Sequence, residues 1–265
     1  YFLPLIESAK DKGKWDGDFC LIISDETDND LTKSIEDMGI HIFRPPKLPE
    51  NPPPHFYKMY LFDEYFKKWD WILFSDLDVI FLNTIELDLD NKDKKYLYTK
   101  KDGLSFMNHF YGATDGFLED KPIKLSKEQK DEKDKIYKKY GDGDAFQTCF
   151  LLYHSDIIKQ GYFKKLKDAY LYYYCYYELA RNSWWDQSIF NIVFYEKWLD
   201  IGEKFINRNP ALIDVDWELK NLKEGYMDTN DYTDIIALHF FNFFPPWIEN
   251  NLRFYPIWKE YNDRF

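Results

Sequence analysis

Short apolar runs alternate with amphipathic stretches through the first third of the chain. Residues 19–23 form a compact apolar run that predicts a β-strand. Residues 26–38 follow with Leu31, Ile35 and Met38 at helical spacing, and Gly39 supplies the stop. A second strand is predicted over 40–43, and the proline-dense stretch 45–54 reads as an extended loop. Over 56–68, Phe56, Met59, Tyr60, Phe62 and Phe66 mark the apolar face of an amphipathic helix. Residues 71–75 read as a buried strand and 79–82 as another short apolar run. This rhythm predicts an α/β fold with a mostly parallel central sheet covered by helices on both faces.

The second half is less regular. Residues 121–139 are dense in Lys, Asp and Glu, as expected of a solvated helix or a mobile insertion. Strand character returns over 150–153. A tyrosine-rich helix is predicted over 163–179, and another from Ser183 through Phe190 and Phe194 to Trp198. A late strand is predicted over 235–241. The aromatic tail 245–265, with Trp247, Phe254, Tyr255, Trp258 and Tyr261, is expected to pack on the domain surface. No internal repeat or boundary is visible, so 1–265 reads as one domain with a charged insertion and an aromatic tail.

Composition narrows the function. The hydrophobic share is 45 % and aromatics reach 20 %, which marks a folded globular chain. A formal net charge of −12 argues against nucleic-acid binding, which needs clustered Lys and Arg. It leaves room for a small phosphorylated ligand, because one metal ion reverses a local field. Cys20, Cys149 and Cys175 are odd in number and widely spaced, and read as buried thiols. Together with the absence of Asn-x-Ser/Thr, they lean toward a reducing, cytoplasmic compartment. No apolar run is long enough to span a membrane, while a signal or anchor upstream of Tyr1 stays open.

The candidate chemistry centres on Asp76 and Asp78, within the run from Trp71 to Leu82. Two carboxylates one residue apart close a buried apolar strand, the place where open α/β sheets gather ligands. Burying like charges there is costly without a cation between them. A hard ion such as Mn²⁺ or Mg²⁺ takes carboxylate oxygens and completes its shell with substrate phosphates. Other Asp-x-Asp triplets in the chain lack apolar flanks and read as turns or caps. His239, at the end of its own apolar run, is a candidate third ligand or a core histidine.

Several separated segments then resemble the retaining glycosyltransferases of family eight, the family of glycogenin and a lipopolysaccharide galactosyltransferase. The segment from Phe74 to Leu82 is similar to the family's Asp-x-Asp strand, and Asp144 to Leu152 to its middle Phe-Asn-Ser/Ala-Gly segment. Trp185 to Asn191 resembles the Asp-Gln-x-x-x-Asn helix start, and His239 to Trp247 has the length of the closing His-x-x-Gly-x-x-Lys-Pro-Trp. The resemblance implies a GT-A fold, Mn²⁺ on Asp76, Asp78 and His239, a UDP-sugar donor and retention at the anomeric carbon. It also implies that Asp186 binds sugar hydroxyls and Gln187 approaches the anomeric carbon, with Asp76, Asp115, Gln147, Asn191 and Trp247 toward the substrate. The acceptor is expected to be a glycan, a protein or a lipid-linked group.

The sequence departs from the pattern at four places. Pro245 stands where the family has its diphosphate-binding Lys, Asn242 where it has Gly, Gln147 for Asn, and Cys149 for Gly. Asp186 also fits a helix-capping role three residues after Ser183. Two other functions share these features: a degenerate module that binds nucleotide sugars without turnover, and a metal-dependent nucleotidyl or phosphoryl transferase. The chain has no Walker or kinase glycine loop for the latter.

Overall fold

A computed structural model describes residues 2–24, 27–48, 51–106, 125–141, 143–179, 186–202, 204–207, 236–239 and 255–264. By contacts, the chain groups into two compact units. One comprises Tyr1–Gly17, Phe74–Lys92 and Gly202–Phe265, the other Asp18–Leu73 and Asp93–Ile201.

The first unit is built on β4 (Val79–Phe81), β8 (Phe205–Asn207) and β9 (Ala237–His239). β9 lies between the other two, antiparallel to β4 and parallel to β8. All three residues of β4 are buried, which is why this apolar run carries no alternation. Helix α1 (Leu3–Asp11) covers the strand, with Pro4 in its first turn, where the missing N–H is harmless. Buried Ser8 ties the two together: its Oγ donates to Leu5 O at 3.0 Å and accepts the Phe81 N–H at 3.1 Å. The loop after α1 passes close to the chain beyond β4. Gly13 O accepts from Ile85 N at 2.9 Å, and a Cβ on Gly13 would stand 2.5 Å from Ala9 O. The tail ends in α6 (Tyr255–Asn262), whose buried Trp258 and Tyr261 face inward, while the Tyr261 hydroxyl donates to Asp11 at 3.2 Å.

The second unit opens with β1 (Cys20–Ile22) and β2 (His41–Phe43), paired in parallel around α2 (Asn29–Asp37). Asp28 caps α2 by accepting from the Asp30 and Leu31 amides, and Gly39 at φ +75° provides the left-handed exit that the sequence predicts. A second sheet has the order β3 (Trp71–Ser75), β6 (Asp144–His154), β5 (Leu97–Ser105), β7 (Trp198–Asp200). β5 runs antiparallel to β6 and parallel to β7. β6 is almost wholly buried, so it reads as a continuous apolar run from Cys149 to Tyr153. Helix α3 (Lys127–Tyr140), within the charged stretch, is closed by a reciprocal capping box between Ser126 and Gln129. It buries Ile136 and Tyr140 against Phe106 and Leu179.

Four expectations are corrected. The amphipathic helix over 56–68 is instead two 3-10 segments, Pro54–Phe62 and Glu64–Lys68, separated by extended Asp63, whose carboxylate caps the second. The contiguous burial of Met59, Tyr60, Leu61 and Phe62 does not fit the single apolar face of an amphipathic helix; the segment is enclosed on several sides. The tyrosine-rich helix is α4 (Tyr162–Ala169) followed by a π-helical stretch, Tyr170–Tyr176, where Tyr170 and Tyr174 pack on Phe56. The helix placed from Ser183 to Trp198 is α5 (Asp186–Val193), and Trp198 already belongs to β7. Of the three thiols, all free, Cys149 is buried while Cys20 and Cys175 are only half-buried.

Candidate functional site

The first unit brings three sequence-predicted ligands together. β3 ends at Ser75, the chain turns through Asp76-Leu77-Asp78, and β4 begins at Val79. In the β4–β9 ladder Val79 faces His239, so backbone pairing sets the imidazole beside Asp78. His239 Nε2 lies 3.1 Å from Asp78 Oδ1 and 3.9 Å from Asp76 Oδ2. One donor atom from each residue falls within 4.8 Å of the others. An ion with donor distances of about 2.0–2.2 Å needs donors about 3–4 Å apart, and the two histidine–aspartate separations, 3.1 and 3.9 Å, lie in that range. The histidine side chain is 9 % exposed and the aspartates 24 % and 22 %, so the group is anchored on the protein side and reachable from solvent. Two carboxylates and a neutral imidazole suit a divalent cation with oxygen preference.

The second unit carries a separate polar cluster at the start of α5. Asp186 and Gln187 are buried in its first turn. Asp186 Oδ2 accepts from Thr148 Oγ1 at 2.9 Å and pairs with Lys58 Nζ at 3.2 Å. Lys58 also reaches Thr148 Oγ1 at 3.4 Å. Gln187 Nε2 donates to Asp102 Oδ2 at 3.0 Å, and Gln147 Nε2 donates to the same oxygen at 2.5 Å. Asn191 accepts the Phe146 N–H at 2.9 Å and donates to Phe146 O at 2.8 Å and Gln187 O at 2.9 Å. Its amide thus stitches α5 to β6. His55 stands near this cluster; burial lowers its pKa, Asp186 opposes that, and Lys58 adds to it.

Asp76, Asp78 and His239 therefore form one group, and Asp186, Gln187, Gln147 and Asn191 form another. Asp115, Trp247 and Pro245 lie outside the described residues, as does Ser183 of the proposed capping box. Sequence reasoning missed Lys58, Thr148 and Asp102. Lys58 had a signal: it is the one cation inside the apolar run from Phe56 to Phe62. Asp102 had none, because the Lys-Lys-Asp-Gly stretch around it hides β5 altogether.

No family model matches the chain, and no curated protein matches it by sequence. Solved structures do. The glycosyltransferase GlyE of Streptococcus pneumoniae TIGR4 superposes with a TM-score of 0.63 at 17 % identity, over 98 % of this chain and 56 % of that one. The bifunctional glycosyltransferase WbbM gives 0.65 at 13 %, over 98 % and 46 %. The galactosyltransferase LgtC, solved with donor and acceptor sugar analogs, gives 0.61 at 14 %, over 100 % and 91 %. The chain thus spans about half the length of the first two and most of the third. At these identities the likeness establishes architecture: this chain has the GT-A fold of glycosyltransferases.

Proposed function

We propose that this chain is a metal-dependent, retaining glycosyltransferase of family eight, one GT-A domain acting on a nucleotide-diphosphate sugar, with UDP as the nucleotide. The observation that carries the reading is the convergence of Asp76, Asp78 and His239 within 4.8 Å, at the end of the strand where the fold gathers ligands. These three residues would hold Mn²⁺ or Mg²⁺, and the bound ion supplies neutralisation of the diphosphate as it leaves.

The remaining roles follow from the family resemblance. Asp186 accepts hydrogen bonds from the donor sugar's hydroxyls, its charge kept in place by Lys58 and Thr148. Gln187 lies at the anomeric carbon on the acceptor's face. An amide is a poor nucleophile, so double displacement lacks the carboxylate it normally uses. Front-face attack follows: the acceptor oxygen bonds to the anomeric carbon as the bond to diphosphate breaks, and the acceptor proton passes to the departing diphosphate. Asp115, Gln147 and Trp247 complete the substrate contacts. With Pro245 in place of the family's Lys, neutralising the leaving group rests on the ion and on other basic residues.

The test is a screen of UDP- and GDP-sugars by thermal shift with and without Mn²⁺, followed by assay of nucleotide release. Metal-dependent stabilisation by a UDP-sugar and its hydrolysis are expected. Release at full rate in EDTA refutes metal dependence. Binding without turnover indicates a degenerate module, and cleavage of a nucleoside triphosphate instead indicates a nucleotidyl transferase.

A further inference from the structure

We propose that Asp102 is a positioning residue for Gln187: it fixes which end of the glutamine amide faces the reacting carbon. The proposal rests on the reading of Gln187 just given. Asp102 Oδ2 accepts from two amide nitrogens at once, Gln187 Nε2 at 3.0 Å and Gln147 Nε2 at 2.5 Å. An ionised carboxylate can only accept, so both glutamines must turn their N–H toward it. In a primary amide the oxygen projects from the opposite side of the same planar group. Gln187 Oε1 is therefore directed away from Asp102.

The backbone places Asp102 to do this. Thr99 faces Leu151 and Lys101 faces Phe146, so two steps along β5 match five along β6. From Lys101 to Ser105, four steps along β5 match only two along β6. The pleat is thus broken on β6 where Gln147 and Thr148 sit, and on β5 where Asp102 sits. Such irregularities re-aim side chains out of the regular alternation. Thr99 Oγ1 donates to Gln147 O at 2.5 Å and secures the displaced segment. The other end of Gln187 is held as well, because Asn191 donates to its backbone carbonyl at 2.9 Å. Gln187 is consequently fixed at both the main chain and the side-chain tip, and it is buried.

Orientation matters for the chemistry. In front-face transfer the anomeric carbon gains positive charge as its bond to the diphosphate oxygen lengthens, before the acceptor oxygen closes on it. An amide oxygen directed at that carbon stabilises the charge, and a flipped amide presents N–H and opposes it. Asp102 selects the first rotamer without touching substrate.

Asp102→Ala and Asp102→Asn separate this role from others. In a UDP-release assay with Mn²⁺ and water as acceptor, Asp102→Ala is expected to lower kcat about tenfold to a hundredfold with donor KM within about threefold. Asp102→Asn keeps an oxygen that accepts the same two N–H groups and is expected to retain most of the rate. An Asp102→Ala kcat within twofold of the native value, or equal loss in both variants, overturns the proposal. A second readout does not depend on turnover. In protein labelled with ¹⁵N-glutamine, the side-chain NH₂ signals of Gln147 and Gln187, assigned with Gln147→Leu and Gln187→Leu, should exchange slowly in native and Asp102→Asn protein and fast in Asp102→Ala. Unchanged exchange in Asp102→Ala refutes the pinning. A native chain that turns over no sugar nucleotide sinks the enzyme reading alone, and the spectra then decide the pinning.

Discussion

Lys58→Met is expected to destabilise the protein by about 2–3 kcal/mol. Lys58 Nζ lies 3.2 Å from Asp186 Oδ2, and the two side chains are only 14 % and 9 % exposed. At an effective dielectric near 20, unit charges at that distance attract by about 5 kcal/mol. Desolvating both groups offsets most of this, so the intact pair contributes little net stability. Removing one partner is different, because Asp186 is left charged and buried, which costs about 3–5 kcal/mol elsewhere. Here Thr148 still donates at 2.9 Å, a charge-assisted bond that recovers part of that loss. Methionine keeps the aliphatic stem, so lost packing adds little. The assay is urea unfolding of the native, Lys58→Met, Asp186→Asn and double variants at neutral pH, with the slope checked for constancy. The double variant should lose less than the sum of the singles by about 1–2 kcal/mol. A single-variant cost under about 0.5 kcal/mol, or strict additivity, would show that the ion pair is not the buried constraint inferred here.

Asp78→Ala should abolish metal-dependent nucleotide release while leaving the melting temperature within a few degrees, since it removes one of two mutually repelling carboxylates; native-like turnover would contradict the ligand assignment. Gly13→Ala should cost about 1–3 kcal/mol in a denaturant melt, because its Cβ would meet Ala9 O at 2.5 Å and Ile85 Cδ1 at 2.9 Å; an unchanged midpoint would mean that the loop after α1 yields easily. Burial lowers the pKa of both His55 and His154, so the unfolded chain takes up protons first as pH falls. Their contribution is complete above the ordinary value of 6.5 and is lost below it toward the depressed folded values. Unfolding free energy measured from pH 8 to 5 should therefore be flat and then fall, and a rise below pH 6.5 would reverse the assignment.

Much of this was legible locally. The strand at Trp71–Ser75, the stop at Gly39 and the carboxylate pair Asp76 and Asp78 follow from apolar runs and what terminates them, while His239 joined the pair only through the family resemblance. Segments whose conformation is set by distant partners were not. The run from Phe56 looks helical by spacing, but its rings and Lys58 answer to Tyr170, Tyr174 and Asp186, which local periodicity cannot see. β5 escaped notice because its centre is Lys-Lys-Asp-Gly, and its broken register against β6 disrupts the alternation a strand normally shows. Asp186 was placed between capping and chemistry, and its partners Lys58 and Thr148 are remote in sequence. Asn191 was read as a substrate contact, yet its amide is engaged with the backbone of Phe146 and Gln187.

The ladder between β4 and β9 has a consequence for folding fidelity. Each strand has only three residues, and the register that pairs Val79 with His239 decides on which side the imidazole emerges. A slip of one residue would send His239 to the opposite face of the sheet. If these three residues hold an ion, only the correct register offers it all three, and binding to the native state would favour that register by mass action. Metal occupancy would then act as a proofreader of chain assembly, and a pool of misregistered protein should accumulate when the chain folds in a chelated medium.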